Sequence, residues 1–131
     1  MDVYIDPLSS DPIYQQIRDR IVEAVAAGRL KAGAPLVAVR TLAAAFGINP
    51  ATVAKAYNLL REEGIVATNR KSGSVIARDP SSGPPRPGFD EAWRGRLQTL
   101  LAEGTAHGLP EDRILDECRS ITRRFIREED A

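Results

Sequence analysis

The chain has 131 residues with 18 basic and 18 acidic side chains, so its net charge points to no polyanionic partner, and its length allows one small domain plus an appendage. The single cysteine, Cys118, excludes an internal disulfide, and no apolar run approaches the roughly 18 to 20 residues needed to cross a bilayer. The start, MDVYIDPLSS, has neither the charged nor the apolar region of a signal peptide, so a cytoplasmic protein with no membrane partner is expected.

Asp11 followed by Pro12 reads as a helix start, with a capping carboxylate and a proline whose missing N–H costs nothing there. Ile13, Ile17, Ile21 and Val25 recur every four residues and Gly28 offers a left-handed stop, which predicts a first helix with one buried face. The segment AGRLKAGAP turns the chain toward Arg40. A second helix begins there and carries Leu42, Ala43 and Phe46 inward as far as Gly47.

Asn49-Pro50 repeats the cap-and-proline signal, and a third helix is expected from there to about Glu63, ended by Gly64. Its apolar stripe is Val53, Ala56, Tyr57 and Leu60, which leaves Ala51, Thr52, Lys55 and Asn58 outward. Small outward side chains let a helix sink into the major groove, where Thr or Asn can bond base edges. Residues 65–68 and 74–77 have the β-branched bias of strands, joined by Asn69-Arg70-Lys71-Ser72-Gly73. Such a hairpin would carry two cations at its tip, with Gly73 supplying a positive φ.

The segment DPSSGPPRPG is a semi-extended linker by composition. Beyond it Phe89, Trp93, Leu97, Leu100 and Leu101 repeat at helical spacing until Gly108-Leu109-Pro110. Ile114, Leu115, Cys118, Ile121, Phe125 and Ile126 then resume the pattern, predicting a helical hairpin. Two isolated helices cannot bury such stripes against each other alone, so the same hairpin of a second subunit is the expected cover. The dimerisation set is Phe89, Trp93, Leu97, Leu100, Leu101, Ile114, Cys118, Ile121 and Phe125.

The fold class expected is mainly α (α+β): a winged helix-turn-helix over 1–79, a linker over 80–88 and a two-helix dimerisation tail over 89–131. Charge is distributed to match. From Arg40 to Arg78 six cations face two carboxylates, an excess of four, whereas from residue 80 onward eight arginines face ten carboxylates. The basic excess coincides with the unit that would place one helix in the major groove and the hairpin beside it. The expected DNA-binding residues are Arg40, Thr41, Asn49, Ala51, Thr52, Lys55, Arg70, Lys71, Ser72 and Gly73.

No Gly-rich phosphate loop, paired metal ligands or nucleophile with a partnered base is present, so neither an enzyme nor a cofactor is expected. His107 has no second His or Cys nearby, so no metal site is expected. Trp93 and Phe125 read as core or dimer packing rather than an effector pocket, and no small-molecule effector is assigned. Cys118 reads as a buried small hydrophobe.

Ile13-Tyr14-x-Gln16-Ile17, Gly28-x-Leu30-x-x-Gly33, Leu36-x-x-x-Arg40-x-Leu42-Ala43, Thr52-Val53-x-x-Ala56-Tyr57 and Glu63-Gly64, in that order, resemble the N-terminal domain of GntR-type bacterial repressors. The short two-helix tail and Ile48-Asn49-Pro50 are similar to the YtrA-type subgroup. The resemblance implies a homodimeric repressor on double-stranded DNA, bound at an inverted-repeat operator, with targets that include its own operon and membrane transporter genes. An aminotransferase-like domain of the kind some members carry after this unit is not expected, since the sequence is too short to hold one. This sequence departs from the family pattern at Leu36-Val37-Ala38, where Leu-Pro-Ser is usual, at Pro50 for an arginine and at Lys71 for a wing glycine. The rival expectation is an adaptor whose winged helix binds a protein partner; DNA binding would weaken steeply with salt, and apolar protein binding would not.

Overall fold

A computed structural model describes residues 3–130, with side chains described through 126; Met1, Asp2 and Ala131, which fall at the ends of the two expected domains, lie outside it. Among the described residues five helices and one hairpin follow in chain order: α1 (Ile13–Ala26), α2 (Val39–Phe46), α3 (Pro50–Glu62), β1 (Val66–Asn69), β2 (Gly73–Ile76), α4 (Phe89–Ala106) and α5 (Glu111–Asp130). They form two compact units, Met1–Ser82 and Gly83–Ala131.

In the first unit α3 packs on both α1 and α2. Ile17 and Ile21 from α1, Leu42 and Ala43 from α2, and Val53, Ala56, Tyr57 and Leu60 from α3 make the core, closed by Val66 and Ile76 from the hairpin. The stripes expected of α1 and α3 are therefore the ones buried, with Ile13 and Phe46 half-buried at the margin. Apolar positions three and four apart face one way on a helix, and removing that face from water is the main stabilising term.

The expected Asp11 cap is corrected by the structure. Pro12 is the N-cap of α1 and no side chain caps it. The entry to α1 is held instead by Gln16, buried on the inner face, whose Nε2 donates to the carbonyl oxygens of Asp11 (2.9 Å) and Asp6 (3.0 Å), while Asp6 N–H donates back to Gln16 Oε1 (2.7 Å). One buried amide thus holds the N-terminal segment on α1 and has its own polar groups satisfied.

Helix α3 ends as its glycine requires. Gly64 takes φ +81°, its N–H donates to Arg61 O and Ile65 N–H donates to Leu60 O, a Schellman closure. That closure draws Ile65 into the helix stop, so the first strand begins at Val66, one residue later than the β-branched pattern predicts. At the other end of the turn Asn69 pairs with Gly73, which places both in the strands and leaves Arg70-Lys71-Ser72 as the tip.

The hairpin does not stand alone. Leu36 N–H donates to Ser74 O, Ile76 N–H to Ala34 O and Gly33 N–H to Ile76 O, all at 2.8 Å, so residues 33–36 cover the free edge of β2. A two-stranded hairpin is marginal in water by itself, and this third edge supplies its support. Asp79 ties the hairpin's exit to the same segment. Its Oδ2 accepts from Ala32 N–H at 2.8 Å, and its Oδ1 accepts from the Ser81 hydroxyl and N–H.

These bonds, led by that from Ala32 and followed by those from Ser81, hold the Asp79 carboxyl down at about 2. Because the folded value lies below the ordinary one, this tie is complete above the usual carboxylate range and is lost as pH falls through about 2. A carbon-detected NMR titration of Asp79 should show a midpoint near 2; a midpoint near about 4 would mean that the loop does not grip the carboxylate.

The second unit is the expected hairpin of two helices, α4 and α5, broken at Gly108-Leu109-Pro110. Leu109 and Ile114 close over Gly104, where an added Cβ would lie 3.4 Å from Leu109 Cδ1. No side chain of α4 is fully buried. Leu97, Leu101, Ile114, Cys118 and Phe125 are half-buried, whereas Phe89, Trp93, Leu100 and Ile121 are exposed. Cys118, expected to be buried, is thus half-buried, because two helices alone leave no enclosed interior.

Candidate nucleic-acid interface

Helix α3 starts as its sequence directs. Asn49 is the N-cap, and its Oδ1 accepts from Ala51 N–H at 2.8 Å, with Pro50 in the first turn. The Asn49 side-chain oxygen is occupied by this cap, so its amide N–H groups are what it can offer a ligand. Ala51 is exposed and Thr52 half-buried, and the Thr52 hydroxyl has no partner among the described residues.

Helix α2 is held against α3 by Tyr57. Its ring is fully buried and its hydroxyl donates to Val37 O at 2.7 Å, just before α2 begins. Burial pushes the phenol up to about 12, against the opposing influence of the Arg61 charge, so it stays a donor at any ordinary pH. The core reading of Tyr57 is the one the structure bears out.

At the far end of α3, Arg18 of α1 grips Glu63, with Nη2–Oε2 at 2.7 Å and Nε–Oε1 at 3.0 Å, and its Nη1 reaches Asp19 at 3.0 Å. Partial burial works against the Arg18 charge, but bonds to Glu63 and Asp19 outweigh it and raise its pKa. The paired geometry makes this a fixed strut between helices rather than a loose surface pair.

The expected DNA-contacting cations are used in different ways. Lys55 Nζ sits 4.0 Å from the centroid of the Tyr14 ring, a cation–π contact that parks it against α1 while leaving it exposed. Arg61, counted in the basic excess, is turned inward onto the hairpin, donating to Asn58, Thr68 and Ser74. Arg40, in the first turn of α2, and Arg70 and Lys71, at the hairpin tip, are exposed and carry no side-chain bond or ion pair among the described residues. Thr41 and Ser72 are exposed as well.

The tip is built without a second glycine. Asn69 Oδ1 accepts from Lys71 N–H at 2.8 Å, an Asx turn that sets up the bend, and Gly73 completes it at φ +74°. A Cβ at Gly73 would meet nothing within 4 Å, so glycine is needed there for its backbone conformation and not for space. Sequence reasoning places Gly73 in this role but misses Gln16, Arg18 and Arg61 as organisers. Only Gln16 carries a signal, a polar residue beside Ile17 on an otherwise apolar face.

Three helices with α2 and α3 joined at Gly47, followed by a basic hairpin braced against α3, make a winged helix-turn-helix. Residues 13–76 match the family model described as bacterial regulatory proteins, gntR family. A transcription factor of that family, YtrA from Sulfolobus acidocaldarius, is similar in structure with a TM-score of 0.62 and 35% identity, over 79% of this chain and 97% of that one. The chain belongs to the GntR family. Its members are transcription regulators rather than enzymes.

Among the relatives, the chain is 44% identical over 77 residues to the HTH-type transcriptional repressor YtrA of Bacillus subtilis, covering 59% of each chain. The chain thus spans about three fifths of that curated relative. A transcriptional antiterminator from Listeria monocytogenes is similar in structure over 96% of this chain and 93% of its own, with a TM-score of 0.85 and 27% identity. The likeness to the YtrA-type subgroup expected from the sequence is found in both YtrA matches.

Proposed function

We propose that this chain is a sequence-specific DNA-binding transcriptional regulator that acts as a homodimeric repressor on an inverted-repeat operator. The observation that carries the reading is the placement of its exposed cations. Arg18 is ion-paired, Lys55 rests on Tyr14 and Arg61 is bonded to the hairpin, whereas Arg40, Arg70 and Lys71 remain exposed on α2 and at the tip of the wing. Within the stretch from Arg40 to Lys71, Arg61 is thus held for the fold, whereas Arg40, Arg70 and Lys71, on the elements that flank α3 in sequence, and Lys55, exposed beside Tyr14, are available to phosphates. Thr41, Asn49, Ala51, Thr52, Lys55, Ser72 and Gly73 complete the contact set.

The homodimer is supported by the tail. Leu100 is 62% exposed and Trp93 49%, on a helix, α4, that buries no side chain completely. A second copy would cover these faces and set two reading helices in successive major grooves. Leu100→Asp should split the dimer while leaving the hairpin's own packing in place, and sedimentation velocity should show a monomer with weakened operator binding. A variant that stayed dimeric would remove the exposed tail face from the interface.

Selection of bound duplexes from a random library by the purified chain tests the whole reading. An inverted repeat with half-sites about one helical turn apart is expected. A single enriched half-site would overturn the dimer geometry, and no enrichment at low salt by folded protein would overturn DNA recognition in favour of a protein-binding adaptor.

A further inference from the structure

The guanidinium of Arg61 reaches three oxygens at once. Nε donates to Thr68 Oγ1 at 3.0 Å, Nη2 to Ser74 Oγ at 2.6 Å and Nη1 to Asn58 Oδ1 at 2.6 Å. Thr68 and Ser74 are directly opposed across the two strands, one pair in from the Asn69–Gly73 pair that closes the tip. A single side chain on α3 therefore holds both strands of the wing at its outer end.

We propose that Arg61 is the positioning residue that locks the wing to the reading helix, so that α3 and the tip cations meet DNA as one rigid body. This rests on the DNA-binding reading and on contact by the wing in particular. The inner end of the wing has its own anchors in buried Val66 and Ile76, and backbone bonds from residues 33–36 hold β2 out to Ser74 but do not reach β1. From Ala67 to Gly73 the residues are exposed, and no apolar side chain of theirs enters the core. Arg61 supplies there what packing does not.

The fork is suited to that task because it is planar and its donors have fixed directions, so three bonds fix an orientation as well as a distance. Lysine would keep the charge and lose the geometry. A wing left unlocked would still fold at its base, but ordering its tip on DNA would have to be done at the moment of binding, and affinity would fall. Arg61 acts through Arg70 and Lys71 and not by touching DNA itself.

Two variants test this in the full chain, Arg61→Lys and the pair Thr68→Val with Ser74→Ala, each compared with wild type and with Arg70→Ala/Lys71→Ala. Both should speed amide hydrogen exchange over residues 67–73, leave the thermal midpoint of the domain nearly unchanged and weaken operator binding roughly tenfold, the scale expected of coupled contacting groups. Placed in the Arg70→Ala/Lys71→Ala background, Arg61→Lys should cost no further affinity. Wild-type exchange and affinity in Arg61→Lys would overturn the proposal. So would weak binding by Arg61→Lys alone with normal binding by the Thr68→Val/Ser74→Ala pair, since Arg61 would then meet DNA directly. Faster exchange in a wing whose Arg70→Ala/Lys71→Ala variant binds normally would overturn the wing contact and the proposal with it, while a wild-type chain that showed no salt-dependent DNA binding would instead sink the DNA reading.

Discussion

Replacing Tyr57 with alanine is expected to cost the first unit about 3 to 5 kcal/mol, a large share of the roughly 5 to 15 kcal/mol that holds a domain together. The ring is 1% exposed and packs where α1, α2 and α3 meet, so its removal leaves a cavity that three helices share and cannot easily collapse. Tyr57→Phe separates volume from hydrogen bonding. It keeps the packing, deletes only the bond to Val37 O and should cost about 1 kcal/mol. Urea unfolding followed by circular dichroism measures both. If phenylalanine proved as damaging as alanine, the bond that fixes the entry to α2, and not the filled volume, would be the main contribution of this side chain.

The second large effect concerns binding and not folding. Removing Arg40, Arg70 and Lys71 together should lower the slope of log affinity against log salt by about 0.9 for each phosphate they neutralise, up to about 2.7 for three. Arg40→Ala alone should cost about 1 to 3 kcal/mol if the guanidinium meets a base edge. Thermal stability should scarcely move, because these side chains are exposed and bond to nothing else in the described residues. Titrations at several salt concentrations provide the test, and an unchanged slope in the triple variant would remove these cations from the interface.

Helix starts and stops at Asn49-Pro50 and Gly64 are legible because capping and left-handed backbone depend on a few adjacent residues. Asp11 misleads for the complementary reason. The helix begins one residue later than its capping pattern implies, and the Asp11 carbonyl is taken instead by Gln16, whose amide also bonds Asp6 ten residues away; such partners leave no mark in a window of neighbours. The first strand starts one residue late because Ile65 N–H closes α3 on Leu60 O, leaving only its carbonyl for the hairpin, where it accepts from Ala77 N–H at 2.7 Å.

By itself the sequence determined the periodic faces that become the core, the glycine and asparagine punctuation that ends and starts the helices, the order of elements that makes a winged helix-turn-helix, and the basic excess of the first unit. These depend on residue type and on spacing along one helix or strand. The tertiary structure alone decided which charges are tied into the fold and which face outward. Arg18, Arg61, Arg40 and Arg70 are the same residue type; sequence position marks Arg40 and Arg70 for an exposed role, but it does not reveal that Arg18 and Arg61 are tied across elements. Folding places Glu63 against the first and Thr68 and Ser74 against the second, and leaves the other two facing solvent. A cation's role is set by the oxygens within about 3 Å of it, and only the packed chain brings those oxygens near.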